Sequence, residues 1–232
     1  MAAARAPNST FSTVWPEPAT TLRTQPLRTL AIECATEACS AALFEDGVLL
    51  AGAFEVIGRG HAERLVPIIA ELPGRGRADR ILVSLGPGSF TGVRVGLAAA
   101  RALALAWRAE CLGYPTLALV AAQALAQRSG PVSVCMSGGH GEWFVQDFGA
   151  DGLPEHQLQS LAPDHARLNR RHAFAAGSKA RELLESAGPD QEVLDILPDA
   201  RQVMAMRADL LIADLTPIYG RAPDARPTVT RP

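Results

Sequence analysis

The chain has 232 residues, of which 48% are hydrophobic, and its formal net charge is −2. This length and hydrophobic share allow one large core or two smaller ones. A charge so close to zero provides no basic field that would hold nucleic acid by itself, because neutralising phosphates requires clustered lysine and arginine. The four cysteines form no C-x-x-C pair, which favours reduced core thiols over a disulfide framework or a zinc site.

The first 27 residues differ from the rest of the chain in composition. Pro, Ser, Thr and Ala dominate them, and no hydrophobic periodicity is present. We therefore expect a disordered leader over 1–27. No apolar run in the sequence approaches the roughly 18 to 20 residues that a membrane helix requires. Together with the reduced cysteines, this predicts a cytoplasmic protein with no membrane contact.

The first half of the folded part predicts the element order βββαβα. In chain order, its elements are strands at 27–34, 39–45 and 48–56, a helix at 61–72, a strand at 80–85 and a helix at 93–108. Asp46-Gly47 is a hairpin signal between the second and third strands. The helix at 61–72 places its leucines and isoleucines on one face, as expected for a helix that covers a sheet.

The second half repeats this order less regularly. Its predicted elements are a linking helix at 117–127, strands at 131–136, 142–148 and 153–160, a short helix at 163–170, a strand at 172–176 and a helix at 179–187. A duplicated βββαβα unit is typical of the ribonuclease H-like, actin-like α/β fold, in which two lobes with mixed sheets face each other across a cleft. We predict an N-terminal lobe at 28–110, a C-terminal lobe at 111–216 and a tail at 217–232.

A glycine-rich segment, Gly86-Pro87-Gly88-Ser89-Phe90-Thr91-Gly92, joins the strand at 80–85 to the helix at 93–108. We refer to these seven residues as the glycine loop. Its glycines permit positive φ and close backbone approach, and N–H groups at a helix start attract anions. The loop can hold an anion, hold another segment of backbone, or only turn the chain. Its spacing matches neither the dinucleotide-binding fingerprint nor the P-loop.

Three segments closely resemble the TsaB family of bacterial tRNA threonylcarbamoyladenosine synthesis. They are residues 30–40, 61–67 and 86–96, the last with the Ser-Phe-Thr-Gly-x-Arg continuation of the glycine loop. The resemblance is strong over 28–128 and looser afterwards, although 217–224 is similar to the family's C-terminal Pro-x-Tyr-x-Arg element. It implies an actin-like fold and a non-catalytic scaffold subunit that binds and activates TsaD and helps to recruit the ATPase TsaE.

The resemblance also implies the partners and cofactors. TsaD is expected as the heterodimer partner, a second copy of the chain as the partner when TsaD is absent, and tRNA as a contact made only through the complex. No intrinsic cofactor is expected, although ATP or ADP can lie at the interface shared with TsaD. Two rival functions remain: an ATP-dependent small-molecule kinase of the same superfold, and a peptidase that acts on its partner.

The candidate site residues follow from the same resemblance and from helical spacing. The expected partner interface consists of His61, Glu63, Leu65, Val66, Ile69, Val93, Arg94, Leu97 and Arg101. The candidate phosphate or nucleotide contacts are Gly86, Gly88, Ser89, Thr91 and Gly92. No catalytic residue and no metal ligand is expected, because no two histidines stand at the i,i+4 spacing of a helical metal pair.

Two departures from the family pattern bear on these expectations. Glu33 stands where the family usually has Asp, and 136–142 replaces an Asp-Ala-Arg type of turn. The segment 34–38 contains no glycine, so close approach of its backbone to a phosphate is hindered. This argues against the kinase alternative and predicts a structural role for Glu33.

Overall fold

The computed structural model describes residues 25–185, 188 and 191–220, in which the chain forms two five-stranded sheets. The first sheet contains β1 (Arg28–Glu33), β2 (Ala38–Glu45), β3 (Val48–Val56), β4 (Arg80–Ser84) and β5 (Glu110–Tyr114). The second contains β6 (Val132–Ser137), β7 (Trp143–Phe148), β8 (Gln159–Leu161), β9 (Phe174–Ala176) and β10 (Glu192–Leu194). The predicted leader lies outside the described residues over 1–24, as does the end of the predicted tail.

The two sheets have the same topology. Their strand orders are β3-β2-β1-β4-β5 and β8-β7-β6-β9-β10. In each, the central strand pairs antiparallel with the next strand of the chain and parallel with a later one. The duplication predicted from the sequence is therefore confirmed, and the protein is a mixed α/β protein with the actin-like fold.

Five α-helices in the described residues separate and cover the sheets. They are α1 (His61–Glu71), α2 (Phe90–Trp107), α3 (Thr116–Gln127), α4 (Pro163–Asn169) and α5 (Ala180–Leu184). Helices α1 and α2 cover the outer face of the first sheet, and α4 and α5 cover the outer face of the second. Helix α3, which is almost wholly buried, lies between the two sheets with the 3₁₀ helix Ala200–Ala205.

Side-chain alternation along the strands creates these layers. In β1, Leu30 and Ile32 pack under α1 and α2, while Ala31 faces the core that the two sheets share with α3. In β6, Val134 faces the shared core and Cys135 faces α5. The shared core joins the two lobes, so they are held together at the base of the space between them.

The structure moves the predicted lobe boundaries. Glu110–Tyr114 is a strand that pairs parallel with β4, so the first lobe extends to 114 rather than 110. The chain also returns to the first lobe near its end, where the N–H of Ile218 donates to Leu85 O at 2.7 Å. At the other end Leu27, which we assigned to the leader, exchanges hydrogen bonds with Asp46.

Some elements of the second lobe are shorter than predicted. The expected strand at 153–160 is reduced to β8 and an isolated bridge between Phe148 and Pro154. Within the described residues, the helix expected at 179–187 is α5, which covers Ala180–Leu184. Strand β10 was not predicted.

The sequence analysis expected no apolar segment of membrane-spanning length, and helix α2 corrects this expectation. With 18 residues and a mean hydropathy of 1.2, it is long and apolar enough by length and composition to cross a bilayer. It carries Arg94 and Arg101 on its exposed side, and its other side packs against the first sheet.

Candidate functional site

The glycine loop is anchored below α2 by the start of α3. The Ser84 and Thr116 hydroxyl oxygens lie 2.6 Å apart, and the N–H of Gly86 donates to Ser84 Oγ at 3.2 Å. The N–H of Thr116 donates in turn to Gly86 O at 2.8 Å. These bonds fix the first residue of the loop between the end of β4 and the start of α3, so the loop begins from a rigid position.

The loop packs directly against the turn between β1 and β2, residues 34–37, which we call the β1–β2 turn. The N–H of Ser89 donates to Ala35 O at 2.6 Å. A Cβ atom on Gly88 would overlap Ala35 O, and one on Gly92 would overlap Cys34 O. Of the alternatives open for this loop, its glycines serve the approach of another segment of backbone.

The N-terminus of α2 is capped from within the same loop. Ser89 Oγ accepts from the N–H of Gly92 at 3.2 Å, and Ser89 O accepts from the N–H of Val93 at 2.9 Å. Of the residues we considered for phosphate contact, Gly88 and Gly92 therefore face the chain's own backbone. The side chains of Ser89 and Thr91 are exposed at the first turn of the helix.

His61 holds the β1–β2 turn from the opposite side. The residue is only 7% exposed, and its Nε2 lies 2.9 Å from Thr36 O and 3.2 Å from Ala38 O. Since both neighbours are carbonyl oxygens, Nε2 carries the proton and donates to them. We expected His61 at a partner interface, but it fixes the turn within its own lobe.

Glu33 lies beneath the same turn and is completely buried. Its Oε1 accepts from the N–H of Ala35 at 2.6 Å, whereas Oε2 has no hydrogen-bond partner among the described residues. Burial raises the pKa of Glu33 from 4.5 to about 7. The hydrogen bond from Ala35 ties the carboxyl group to the turn above it.

Four residues expected at the partner interface lie in the interior of the first lobe. Leu65, Ile69, Val93 and Leu97 are between 0% and 5% exposed and pack with the outer face of the first sheet. They cannot contact a partner while the lobe stays folded, so the expectation is corrected for these four. Family resemblance and helical spacing together placed them wrongly, because both sides of α1 and α2 carry apolar residues.

The other four expected interface residues are accessible to different degrees. Val66 is 61% exposed, and Glu63 also lies on the outer side of α1. Arg94 donates to the Tyr219 hydroxyl at 3.1 Å, and Arg101 donates to Leu215 O at 2.9 Å. The two arginines thus fasten the returning C-terminal segment along α2, a role that the sequence did not indicate.

The described residues contain no group of three or more His, Cys, Asp or Glu side chains that could hold a metal ion. The four cysteines are free thiols, and Cys34 Sγ lies 3.7 Å from Cys39 Sγ within the first lobe.

A serine, an aspartate and a histidine do meet in the second lobe. The Ser133 hydroxyl donates to Asp147 Oδ1, and His156 Nε2 lies 2.8 Å from Asp147 Oδ2. The aspartate therefore stands between the serine and the histidine. In a nucleophilic triad the histidine must contact the serine in order to take its proton, so this cluster lacks the arrangement that a serine peptidase needs.

Comparison with known proteins was made for the sequence and for the fold. A family model described as TsaD, tRNA N6-adenosine threonylcarbamoyltransferase, matches residues 55–185. The tRNA threonylcarbamoyladenosine biosynthesis protein TsaB of Escherichia coli K12 is 41% identical over 100 residues, or 41% of this chain and 43% of that protein. The tRNA N6-adenosine threonylcarbamoyltransferase of Anaeromyxobacter sp. is 28% identical over 82% of this chain and 62% of that protein. The chain thus matches less than half of the length of the E. coli relative.

The duplicated sheets, the shared α3 layer and the backbone-filled glycine loop define a two-lobed protein of the actin-like class. The solved structure of YeaZ from Pseudomonas aeruginosa has the same fold, with a TM-score of 0.71 and 28% identity over 83% of this chain and 99% of that one. Because the family model covers more than half of the chain, the chain belongs to the family that this model describes, and it is similar to TsaB and YeaZ.

Proposed function

We propose that this protein is a non-catalytic subunit of tRNA threonylcarbamoyladenosine synthesis and that it binds and activates TsaD. The observation that carries the proposal is an apolar surface on the outer sides of α1 and α2, in a chain whose relatives are named for this modification. We call this surface the α1/α2 face. It consists of Ala62, Val66 and Ala70 of α1 and Ala98, Ala102 and Leu105 of α2, all of them exposed.

The composition of the α1/α2 face suits contact with other helices. Val66 is 61% exposed and Leu105 is 84% exposed, although both are large apolar side chains. The alanines between them allow close approach of a partner's helices, because ridges of one helix pack into grooves of another. Since α1 and α2 contact each other, the two exposed stripes lie on neighbouring helices. Contiguous exposed apolar surface of this kind marks protein interaction sites.

Charged residues border this face. Glu63 lies beside Val66 on α1, and Arg101 lies between Ala98 and Leu105 on α2. Rim charges of this kind set the orientation and the rate of association more than the affinity. We assign TsaD as the occupant of the face, and a second copy of the chain as its occupant when TsaD is absent.

The non-catalytic part of the proposal is supported by the glycine loop. Gly88 and Gly92 lie against the carbonyl groups of the β1–β2 turn, which leaves no cradle for a phosphate between them. We propose that any ATP or ADP is held at the interface with TsaD, near the exposed side chains of Ser89 and Thr91. TsaE and tRNA are then reached through the complex rather than by this chain alone.

Reconstitution tests this function directly. The full chain is combined with TsaD and TsaE from the same organism, tRNA, ATP and a threonylcarbamoyl-adenylate supply, and the modified nucleoside is measured by mass spectrometry. We expect product only when both TsaD and this chain are present. Equal product without this chain would contradict the proposed activation, and product from this chain without TsaD would show that it is itself an enzyme.

A further inference from the structure

Two of the four cysteines lie side by side where the chain turns from β1 into β2. Cys34 follows directly on β1, Cys39 is the second residue of β2, and their Sγ atoms are 3.7 Å apart. The register that pairs Glu33 with Ser40 brings Cys34 opposite Cys39. Both side chains belong to the core on the outer face of the first sheet. The two thiols therefore face each other across the hairpin.

This arrangement suits a disulfide bond. Opposite residues of an antiparallel pair have Cα atoms about 4.5–5.5 Å apart, and disulfides join Cα atoms over about 4.4–6.8 Å. The two sulfur atoms, now 3.7 Å apart, have to approach to about 2.0 Å, a distance that rotation of the two side chains covers. The strands themselves can stay in register.

The two thiols differ in acidity. The thiol of Cys34 donates to the sulfur of Cys39, and this hydrogen bond lowers the pKa of Cys39, although burial acts in the opposite direction. The same hydrogen bond, together with burial, raises the pKa of Cys34. Cys39 is thus the residue that ionises first, and the thiolate is the form that attacks an oxidant. Cys34 stands next to it as the second thiol that a disulfide requires.

The pair is covered only by a short turn on the side of the space between the lobes. Ala35, Thr36 and Glu37 line the cavity there, and Glu37 is exposed. Cys34 is 1% exposed and Cys39 is 0% exposed. A small oxidant therefore reaches the sulfur atoms when this turn opens locally, a motion that leaves the rest of the lobe folded.

The same turn supports the glycine loop. The carbonyl oxygen of Cys34 occupies the space in which a Cβ atom on Gly92 would stand, and Ala35 O accepts from the N–H of Ser89 at 2.6 Å. A covalent link between Cys34 and β2 would hold the turn closed. It would thereby hold the support of the loop and of the first turn of α2.

We propose that Cys34 and Cys39 are a site of reversible oxidation, at which hydrogen peroxide produces a disulfide that locks the β1–β2 turn. The Cys39 sulfur attacks the peroxide, so that an S–O bond forms, the O–O bond breaks and hydroxide leaves. The Cys34 sulfur then attacks the Cys39 sulfur, the S–S bond forms and the S–O bond breaks. The thiol protons leave in water, so two thiols and one peroxide give one disulfide and two waters. Exchange with a small thiol reverses the step.

This site lies within the first lobe and concerns no partner, so it stands independently of the proposed function. Mass spectrometry of the full chain tests it. The protein is treated with a modest excess of hydrogen peroxide, denatured, alkylated at its remaining thiols and cut after glutamate. Cleavage after Glu33, Glu37 and Glu45 places the two cysteines in peptides 34–37 and 38–45, which only a disulfide holds together. We expect this linked pair after oxidation and the separate peptides after dithiothreitol.

The other two cysteines are internal controls. Cys111 and Cys135 stand opposite Ile81 and Val145 of the neighbouring strands rather than opposite a thiol. Both should remain open to alkylation at the peroxide dose that oxidises the proposed pair. Cys135→Ser should give the linked peptides like the wild type, whereas Cys39→Ser should give none.

Thermal unfolding tests whether the disulfide locks the turn. Oxidation should raise the unfolding midpoint of the full chain by about 2–4 °C, because the crosslink restricts the unfolded chain, and dithiothreitol should reverse the rise. The same treatment of Cys39→Ser should leave its midpoint unchanged. Three results would overturn the proposal: no linked peptides in the oxidised wild type, a disulfide that involves Cys111 or Cys135 instead, or an unchanged or lowered midpoint after oxidation.

Discussion

The main-chain carbonyl oxygen of Ala35 occupies the space in which a side chain on Gly88 would stand. The same oxygen accepts a hydrogen bond from the N–H of Ser89 at 2.6 Å. In proteins that cradle a phosphate, loop glycines leave such space to the ligand. Here the chain's own turn fills it, so the glycine loop, which joins β4 to α2, packs on the β1–β2 turn and sets the position of the helix.

Substitution of Gly88 by alanine should therefore destabilise the fold. The added Cβ would overlap Ala35 O, and the loop could relieve the overlap only by moving away from the turn. We expect a loss of about 1–3 kcal/mol, typical of overpacking in a rigid site. Urea unfolding measures it. Gly139→Ala is the matched control because a Cβ there meets nothing within 4 Å; equal stability of the two variants would contradict the packing described.

Glu33→Gln should stabilise the protein at neutral and alkaline pH. Burial raises the pKa of Glu33 from 4.5 to about 7, so the folded state binds a proton that the unfolded state has released between these values. Stability from this group is thus full below pH 4.5, falls as the pH rises to about 7, and stays reduced above that. Glutamine is neutral throughout and keeps an oxygen that can accept from the N–H of Ala35.

The measurement is the free energy of unfolding of both proteins at pH 5 and pH 8. The gain in Glu33→Gln should be larger at pH 8 by up to about 3 kcal/mol, from about 1.4 kcal/mol for each pKa unit. Glu37→Gln, an exposed change in the same turn, should alter neither value. A gain that is equal at both pH values would show that Glu33 is not protonated in the folded protein.

Much of the fold follows from local pattern, and the exceptions have physical causes. The hairpin and the glycine loop carry strong turn signals, so the first lobe was predicted in the correct order. The strand Glu110–Tyr114 was missed because it has only five residues and closely follows α2, which ends at Trp107 and is capped by Arg108 with a φ of 57°. A short strand in a parallel arrangement shows no alternation that would separate it from a helix end.

The site was harder to predict, because α2 is apolar on nearly every side. Leu97 and Leu105 are equally hydrophobic in the sequence, yet they are 2% and 84% exposed. Periodicity identifies the buried side of a helix only when the opposite side is polar. Likewise, the carbonyl oxygen that fills the space beside Gly88 belongs to Ala35, about 50 residues earlier in the chain. No local sequence pattern connects the two residues.

Leu97→Glu should unfold the first lobe. Leu97 is packed with the outer face of the first sheet, and an unpaired carboxylate in such a core costs several kcal/mol. Circular dichroism and thermal unfolding should show a lost or much lowered transition. Leu105→Glu places the same group on the exposed side of the same helix and should melt like the wild type. If both variants melt alike, the orientation of α2 given above is wrong.

The most direct test of the proposed function is the affinity of Val66→Glu for TsaD, measured by titration calorimetry on the purified full-length proteins. Val66 is 61% exposed on the α1/α2 face, whereas Val48, which is 68% exposed on β3, lies outside that face and provides the control Val48→Glu. We predict that both variants keep the wild-type melting temperature, that Val66→Glu binds TsaD at least about 100-fold more weakly, and that Val48→Glu binds it normally. A folded Val66→Glu protein that binds TsaD with wild-type affinity would contradict the account and place the interface elsewhere.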